Sequence, residues 1–410
     1  MLHLIAAFTS FARNFMDQKL SNKLRIISFL LMILVAFIHG YNENLRFGGS
    51  GNFQVAWWLS FTERFISDGI CRIAVPLFFA ISGFLAMESM GEFSLHKFGM
   101  MLRSRFRSLL LPYLLVSLLG ILLVVCLQMI PWAKPFFNNY DIHRLSFRNW
   151  IYVWLFSPVP FQLWFLRLLI GYFLFFPVIY FLLRYFRPFI LLLPLYIWIS
   201  PYFLGLTAIW SQPFSLGTLI FGLISGLDMA TLLSTSKIQF EGLLFFSIGV
   251  CCSMYKFPMV IKPKVSVSLI FLAVWLLWVG YRTTLTIGPS VDHYDVHYHL
   301  IAFTFFGSIL CWYLYDLVAE KVENISWIRN NAKYSIGVFL FHEPMLTILK
   351  KLMIKALGQS DASLLLAYFI APAMAIALSI LLSKAWSKYW PNAYSLITGN
   401  RTQKKVTVEA

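Results

Sequence analysis

Charge is scarce in this sequence. Of 410 residues only 12% are Asp, Glu, Lys or Arg, and 17 acidic residues face 33 basic ones. A soluble domain of this length carries about twice as much charge. Cysteine is sparse as well. Cys71, Cys126, Cys251, Cys252 and Cys311 show no metal-ligand spacing and mostly sit inside apolar runs, where packing is their role. Alternating strand patterns are missing, which argues against a barrel. No stretch of ordinary soluble composition is long enough for a separate domain. The start of the chain lacks the layout of a cleavable signal, because LHLIAAF precedes any positive charge and no small-residue cleavage site follows. It reads instead as a short amphipathic helix lying on the membrane. The net charge of +16 would suit nucleic acid, but the bases border apolar runs, where they act as topology signals. No nucleic-acid partner is expected.

What the chain has in abundance is apolar runs of about twenty residues, recurring from end to end. They predict an all-α polytopic membrane helical bundle of about ten transmembrane helices. The spans fall near 26–43, 72–90, 107–130, 161–183, 188–209, 240–256, 266–285, 299–318, 334–353 and 363–385. Residues 1–25 then form a cytoplasmic N-terminal segment, 26–385 the transmembrane domain and 386–410 a basic cytoplasmic tail. With both termini inside, most Lys and Arg lie in cytoplasmic segments, as the positive-inside rule requires. Counting 213–235 as a crossing would put Lys256, Lys262 and Lys264 outside, so it reads as a re-entrant or interfacial hairpin. The longer outer loops, 44–71, 131–160 and 286–298, are rich in aromatic and amide side chains. Such side chains suit sugar faces, and the membrane interface equally.

The first run, IISFLLMILVAFI, ends in His39. At about 1.5 Å per residue, His39 lies roughly 20 Å along the helix from Arg25. That is past the middle of a hydrocarbon layer about 30 Å thick. An imidazole there is costly unless it pairs or works, and ionisable groups in spans mark function by default. Arg72 enters the second span at a similar depth, ahead of Pro76 and the pair Ser82–Gly83, which read as a packing kink. Arg103, Arg105 and Arg107 crowd the cytoplasmic mouth. Guanidinium forks suit phosphates, whether of a coenzyme A thioester or of anionic lipid headgroups. Arg167 lies one or two turns into the fourth span, within reach of snorkelling. His342 and Glu343 are adjacent near the middle of the ninth, pointing about 100° apart on a regular helix. His293, His297 and His299 near Asp292 and Asp295 sit in a loop of undefined shape, and no metal site is assigned to them.

Several segments in order resemble the acyltransferase-3 family of integral membrane acyltransferases. They are VAFIHGYN, RIAVPLFFAISGFL, RSRFRSLLLPYL, QLWFLRLLI, EGLLFFSIGV and YSIGVFLFHEPM, covering about residues 20–385. The resemblance maps the family's first-span histidine onto His39. Two departures stand out. An arginine usually found eleven residues before that histidine is Ser28 here, with Arg25 one turn earlier. The family's WFLRD is WFLRL here, so Leu168 replaces an acidic residue. The resemblance also implies a stand-alone transferase, because no SGNH-type hydrolase domain follows the spans.

The resemblance implies transfer of an acyl group, acetyl by expectation, from cytoplasmic acyl-CoA to a hydroxyl of a cell-surface or lipid-linked glycan. The expected setting is a bacterial cytoplasmic (inner) membrane. Acyl-CoA, with acetyl-CoA the expected form, would be a donor substrate, and no tightly bound cofactor is implied. Glycan, membrane lipid and a possible homo-oligomer complete the partners. Such chemistry needs a base near neutrality, which assigns His39 first and His342 second, with direct transfer and an acyl-histidine relay both open. Arg72 or Arg167 would stabilise the oxyanion or hold the glycan, Glu343 stands beside His342, and Arg103, Arg105 and Arg107 would take the donor phosphates. The rival reading is a transporter or flippase of a glycan or lipid-linked intermediate. It would be expected to show halves related by an internal repeat, and none is evident.

Overall fold

The computed structural model describes residues 18–42, 55–131, 142–156, 159–203, 236–287 and 293–399. Expectations for the N-terminal amphipathic segment, for 213–235 and for the tail beyond 399 lie outside the described residues. The described residues are 88% helical and contain no strand. In chain order the helices are α1 (Gln18–Ile38), α2 (Trp57–Arg64), α3 (Ala74–Met90), α4 (Leu95–Arg105), α5 (Leu111–Met129), α6 (Phe147–Phe156), α7 (Trp164–Leu174) and α8 (Phe176–Phe186). Then follow α9 (Leu192–Phe203), α10 (Ser236–Met254), α11 (Val265–Leu285), α12 (His293–Asn324), α13 (Ser326–Asn331), α14 (Ser335–Leu357), α15 (Asp361–Tyr389) and α16 (Pro391–Ile397).

Among the described residues, seven helical stretches are long and apolar enough to cross a membrane. The number is eight if α6 and α7, bent by 63°, count as one span. The chain is thus an all-α polytopic bundle. Its outward faces are apolar. On α5, Leu118, Leu119, Leu122 and Leu123 are exposed while Val116, Ser117, Gly120 and Ile121 are buried. Hydrocarbon outside and small or polar groups inside is the arrangement that lipid as solvent selects.

Side-chain bonds set the helix directions. Ser335 Oγ donates to the Ser28 carbonyl at 3.2 Å, and Lys350 Nζ donates to the His39 carbonyl at 2.7 Å, so α1 and α14 run parallel. We call the end where α1 begins the lower end and the end where it finishes the upper end. Ser67 Oγ donates to the Phe37 carbonyl at 2.7 Å, so the chain enters α3 from the upper end. Helix α10 runs parallel to α3, with Arg72 on Glu241 at 3.1 Å above and Ser253 on Glu88 at 2.7 Å below. Between those anchors the two backbones touch. A methyl on Gly83 would overlap the Phe246 carbonyl, and one on Gly249 would overlap that of Ala80. This is the close approach that only small residues permit between membrane helices.

The lower end is fastened by Lys23, which bonds Asp316 at 2.9 Å and the Met259 carbonyl at 2.8 Å, with its ammonium 4.4 Å from the Trp312 ring. Both members of the pair are nearly fully buried, a geometry tolerable only because each is bonded. The seal keeps α1 and α12 together beside the cavity described below.

Three sequence expectations need correction. Residues 131–160 are not only an outer loop, because α6 packs on α5. Trp154 Nε1 donates to the Leu114 carbonyl at 2.9 Å and the Tyr113 hydroxyl to the Leu155 carbonyl at 2.7 Å. Its apolar run is too short to span, so periodicity alone could not place it. The irregularity expected at Pro76 and Ser82–Gly83 is placed differently, with Pro76 in the first turn of α3. The irregularity lies just before it, in a π turn over Phe65–Gly69 and a 3-10 turn over Ile70–Ile73. Finally, α12 begins at His293, so part of the expected loop 286–298 is helix.

Candidate active site

One face of α1 lines an internal cavity of about 530 Å³ with Arg25, Ser28, Met32, Val35 and His39. The spacing of three and four residues keeps these on one side of the helix. Arg25 and His39 are roughly 20 Å apart along the axis at about 1.5 Å per residue. The walls come from α3, α7 and α14, with Phe78, Phe165 and Phe339 prominent. Arg25, Arg105 and Lys333 line the lower end, and His39 lines the upper. An apolar shaft therefore joins a cationic mouth to an imidazole. Ser28 lies on this face, its Oγ turned back onto the Leu24 carbonyl at 2.7 Å.

The upper end is built on a broken helix. Inside α14, Glu343 has φ −104° and ψ 136°, outside the helical region, and Pro344 follows. Proline removes one donor from the ladder and disfavours helical backbone at the residue before it. The freed Glu343 carbonyl takes Gln162 Nε2 at 3.3 Å, and Gln162 also lines the cavity. His342, fully buried, sits at the break. Its Nδ1 lies 2.9 Å from the Val338 carbonyl and 3.0 Å from that of Phe339. Carbonyls only accept, so Nδ1 carries the proton and Nε2 keeps its lone pair. That Nε2 is buried without a hydrogen-bond partner among the described residues. The His342 ring centroid is 5.6 Å from that of His39. The fold thus brings two histidines together from positions far apart in sequence, and the break separates Glu343 from the regular-helix geometry expected for it.

Buried polar groups that sequence reasoning passed over hold His39 in place. Lys350, 5% exposed, donates to the carbonyls of His39 and Tyr41, at 2.7 and 3.1 Å. An ammonium at the end of a helix also complements its dipole. Its carboxylate neighbours are Glu343 and Glu63. Glu63, fully buried, accepts from Asn42 N–H at 2.8 Å, and Asn42 Nδ2 reaches the Leu364 carbonyl at 3.0 Å. The signal in sequence was a lysine six residues, nearly two turns, beyond a proline in an apolar helix. Without a partner in view it reads as an interfacial anchor.

The remaining candidates are placed differently. Arg105 enters the cavity with its guanidinium 4.5 Å from the Phe173 ring, whereas Arg103 and Arg107 are exposed and do not line it. The π turn at Phe106–Leu110 follows Arg105 directly, and the basic trio does not act from one face. Arg72 is not on the cavity wall but pairs with Glu241 at 3.1 Å. Arg167 does not snorkel. It donates to the Phe156 carbonyl at the end of α6, capping that helix from α7. Among the described residues no cluster of His, Cys, Asp or Glu could hold a metal ion.

The family comparison agrees with this architecture. The Acyl_transf_3 model, described as an acyltransferase domain, matches residues 23–384. The chain belongs to the acyltransferase-3 family. Comparison with curated proteins gives no match, and comparison with solved structures gives none. The protein is therefore a multi-pass membrane acyltransferase, and its cavity lies wholly within the matched region. In this acyltransferase Lys350 holds the backbone of His39. Lys350→Met is expected to lower turnover by about 10- to 100-fold with little change in KM for the acyl donor. Lys350→Arg should recover part of the loss. Steady-state kinetics on purified variants checks this, and a merely structural lysine would shift thermal stability instead.

Proposed function

We propose that the acyltransferase moves an acyl group, acetyl in the first instance, from acyl-CoA to a hydroxyl of a cell-surface or lipid-linked glycan. The observation carrying this is the shaft itself, cationic at one end and imidazole-bearing at the other, roughly 20 Å apart. A coenzyme A thioester has the same polarity, with phosphates at one end, a slender arm, and a reactive thioester at the far end. Arg25, Arg105 and Lys333 would face the phosphates, and the thioester would stand beside His39. Acyl-CoA is then a substrate, and no resident cofactor is required. The lower end faces the cytoplasm of a bacterial inner membrane, where acyl-CoA is made, and both termini follow it there.

The acceptor hydroxyl oxygen attacks the thioester carbonyl carbon as the His39 imidazole takes its proton. The carbon–oxygen bond forms, the carbon–sulfur bond breaks, and the coenzyme leaves as a thiolate that recovers the proton from the imidazolium. The products are an ester and free coenzyme A thiol. Gln162 presents an amide donor at the upper end, suited to the negative charge that develops on the carbonyl oxygen. His342 Nε2, an acceptor only, steadies the imidazolium when His39 is charged.

The test is direct. Purified protein in detergent, given acetyl-labelled acetyl-CoA and a membrane glycan fraction, should release thiol and place label in a base-labile ester. A folded preparation that releases no thiol and transfers no label, yet moves glycan across vesicles, overturns the reading in favour of a flippase.

A further inference from the structure

A second cationic cluster lies at the upper end, off the cavity wall. The π turn Phe65–Gly69 packs on α11, with Gly69 directly against the Val279 side chain and Gly280 facing the Phe65 ring. Arg64 Nη1 donates to the Thr286 carbonyl at 2.9 Å, which fixes an antiparallel register. That register sets Arg282 opposite this turn. Arg64, Asp68 and Arg72, spaced four apart on the facing chain, are the charged groups acting on its guanidinium. Arg72 is already paired with Glu241. Of the charged groups acting on Arg282, Asp68 is the one carboxylate among the described residues, and it is exposed.

Arg282 is the unusual member. It is 6% exposed, and its Nε and Nη1 are buried with no acceptor among the described residues. Its guanidinium stands 5.7 Å from the centre of the Phe303 ring. Guanidinium groups do not lose their protons in proteins, so a buried one without an acceptor is a strong demand for an anion. The direction in which it points narrows the source of that anion. Leu277 and Tyr281 on the same helix are exposed to the outside of the bundle, whereas Arg282 is turned inward. A bilayer phospholipid would approach from the Tyr281 side. Arg282 instead faces the bundle interior, toward Phe303. The same turn also touches the reaction centre, because Ser67 donates to the Phe37 carbonyl two residues before His39.

We propose that Arg282, with Arg72, binds an oxyanion of the acceptor, the carboxylate or phosphate of an acidic sugar, and thereby selects acidic glycans. This rests on the acyl-transfer reading above and adds to it the charge of the acceptor. Arginine is suited to both oxyanions, since its planar fork matches either.

The experiment measures binding apart from turnover. Purified protein in neutral detergent is titrated with glucuronate, glucose 1-phosphate and glucose at matched ionic strength, following the thermal unfolding midpoint. The two acidic sugars should raise the midpoint and glucose should not. Arg282→Gln should weaken the acidic-sugar response by at least about tenfold, with the acetyl-CoA response unchanged. Arg282→Lys keeps the charge, is expected to fold, and should show an intermediate loss, so the test survives if the glutamine variant does not fold. Equal responses to glucuronate and glucose, or a response that Arg282→Lys and Arg282→Gln both leave intact, overturn the proposal. An Arg282-dependent shift given by phosphatidylglycerol micelles and not by acidic sugars also overturns it, in favour of a lipid headgroup site. Failure of acetyl transfer to any glycan, with the sugar titration as expected, would count against the acyl-transfer reading alone.

Discussion

His39→Gln is expected to lower acyl transfer by about 10²–10⁴-fold, the usual worth of a positioned base, while the protein inserts and melts much as the parent does. Glutamine keeps a hydrogen-bonding side chain of similar reach but cannot take a proton. The surroundings support a stable variant. The backbone at this position is held by Lys350 through the His39 carbonyl, and the segment after it by Glu63 through Asn42 N–H, none of which involves the imidazole. The measurement is thiol release and labelled ester from acetyl-CoA, together with a thermal melt. Near-parental turnover would remove His39 from the role of base. His342 keeps a lone pair on Nε2 but does not line the cavity, so it would inherit the role less readily. The companion variant His342→Gln should therefore slow transfer less than His39→Gln does. A larger loss at His342 would reverse the assignment.

Arg105→Gln carries the second large effect. KM for acyl-CoA should rise roughly 10- to 100-fold, the worth of one or two charge-assisted hydrogen bonds, with kcat much less altered. Arg103→Gln and Arg107→Gln should each stay near the parent. The reason is placement. Arg105 is held against Phe173 on the cavity wall, its Nε buried without a partner among the described residues, while its neighbours in the trio are exposed. Arg105→Lys should recover only part of the loss, since a point charge lacks the fork. Initial rates over a range of donor concentrations decide it. Equal effects from all three positions would return the trio to a diffuse electrostatic role.

Sequence by itself determined the class of this molecule. Scarce charge and recurring apolar runs of about twenty residues leave only a helical membrane bundle, because backbone polar groups in lipid must be satisfied within each segment. It also picked out His39, since an imidazole far inside an apolar run is visible without any partner. The 3.6-residue period even puts Arg25, Ser28, Met32, Val35 and His39 on one face. Periodicity says which residues share a face but not what that face meets, and the tertiary structure supplied the partners. Lys350 reaches His39 across 311 positions and Arg72 reaches Glu241 across 169, so neither bond has a local signature. Local geometry also departed from the regular helix at the site. The break at Glu343 opens a carbonyl for Gln162, and the π turn after Arg105 accompanies the division of the basic trio. Arg167 is the clearest case. It is an intramembrane cation in sequence and a helix cap in the fold, because the α6 terminus it serves came from a run too short to be read as a span.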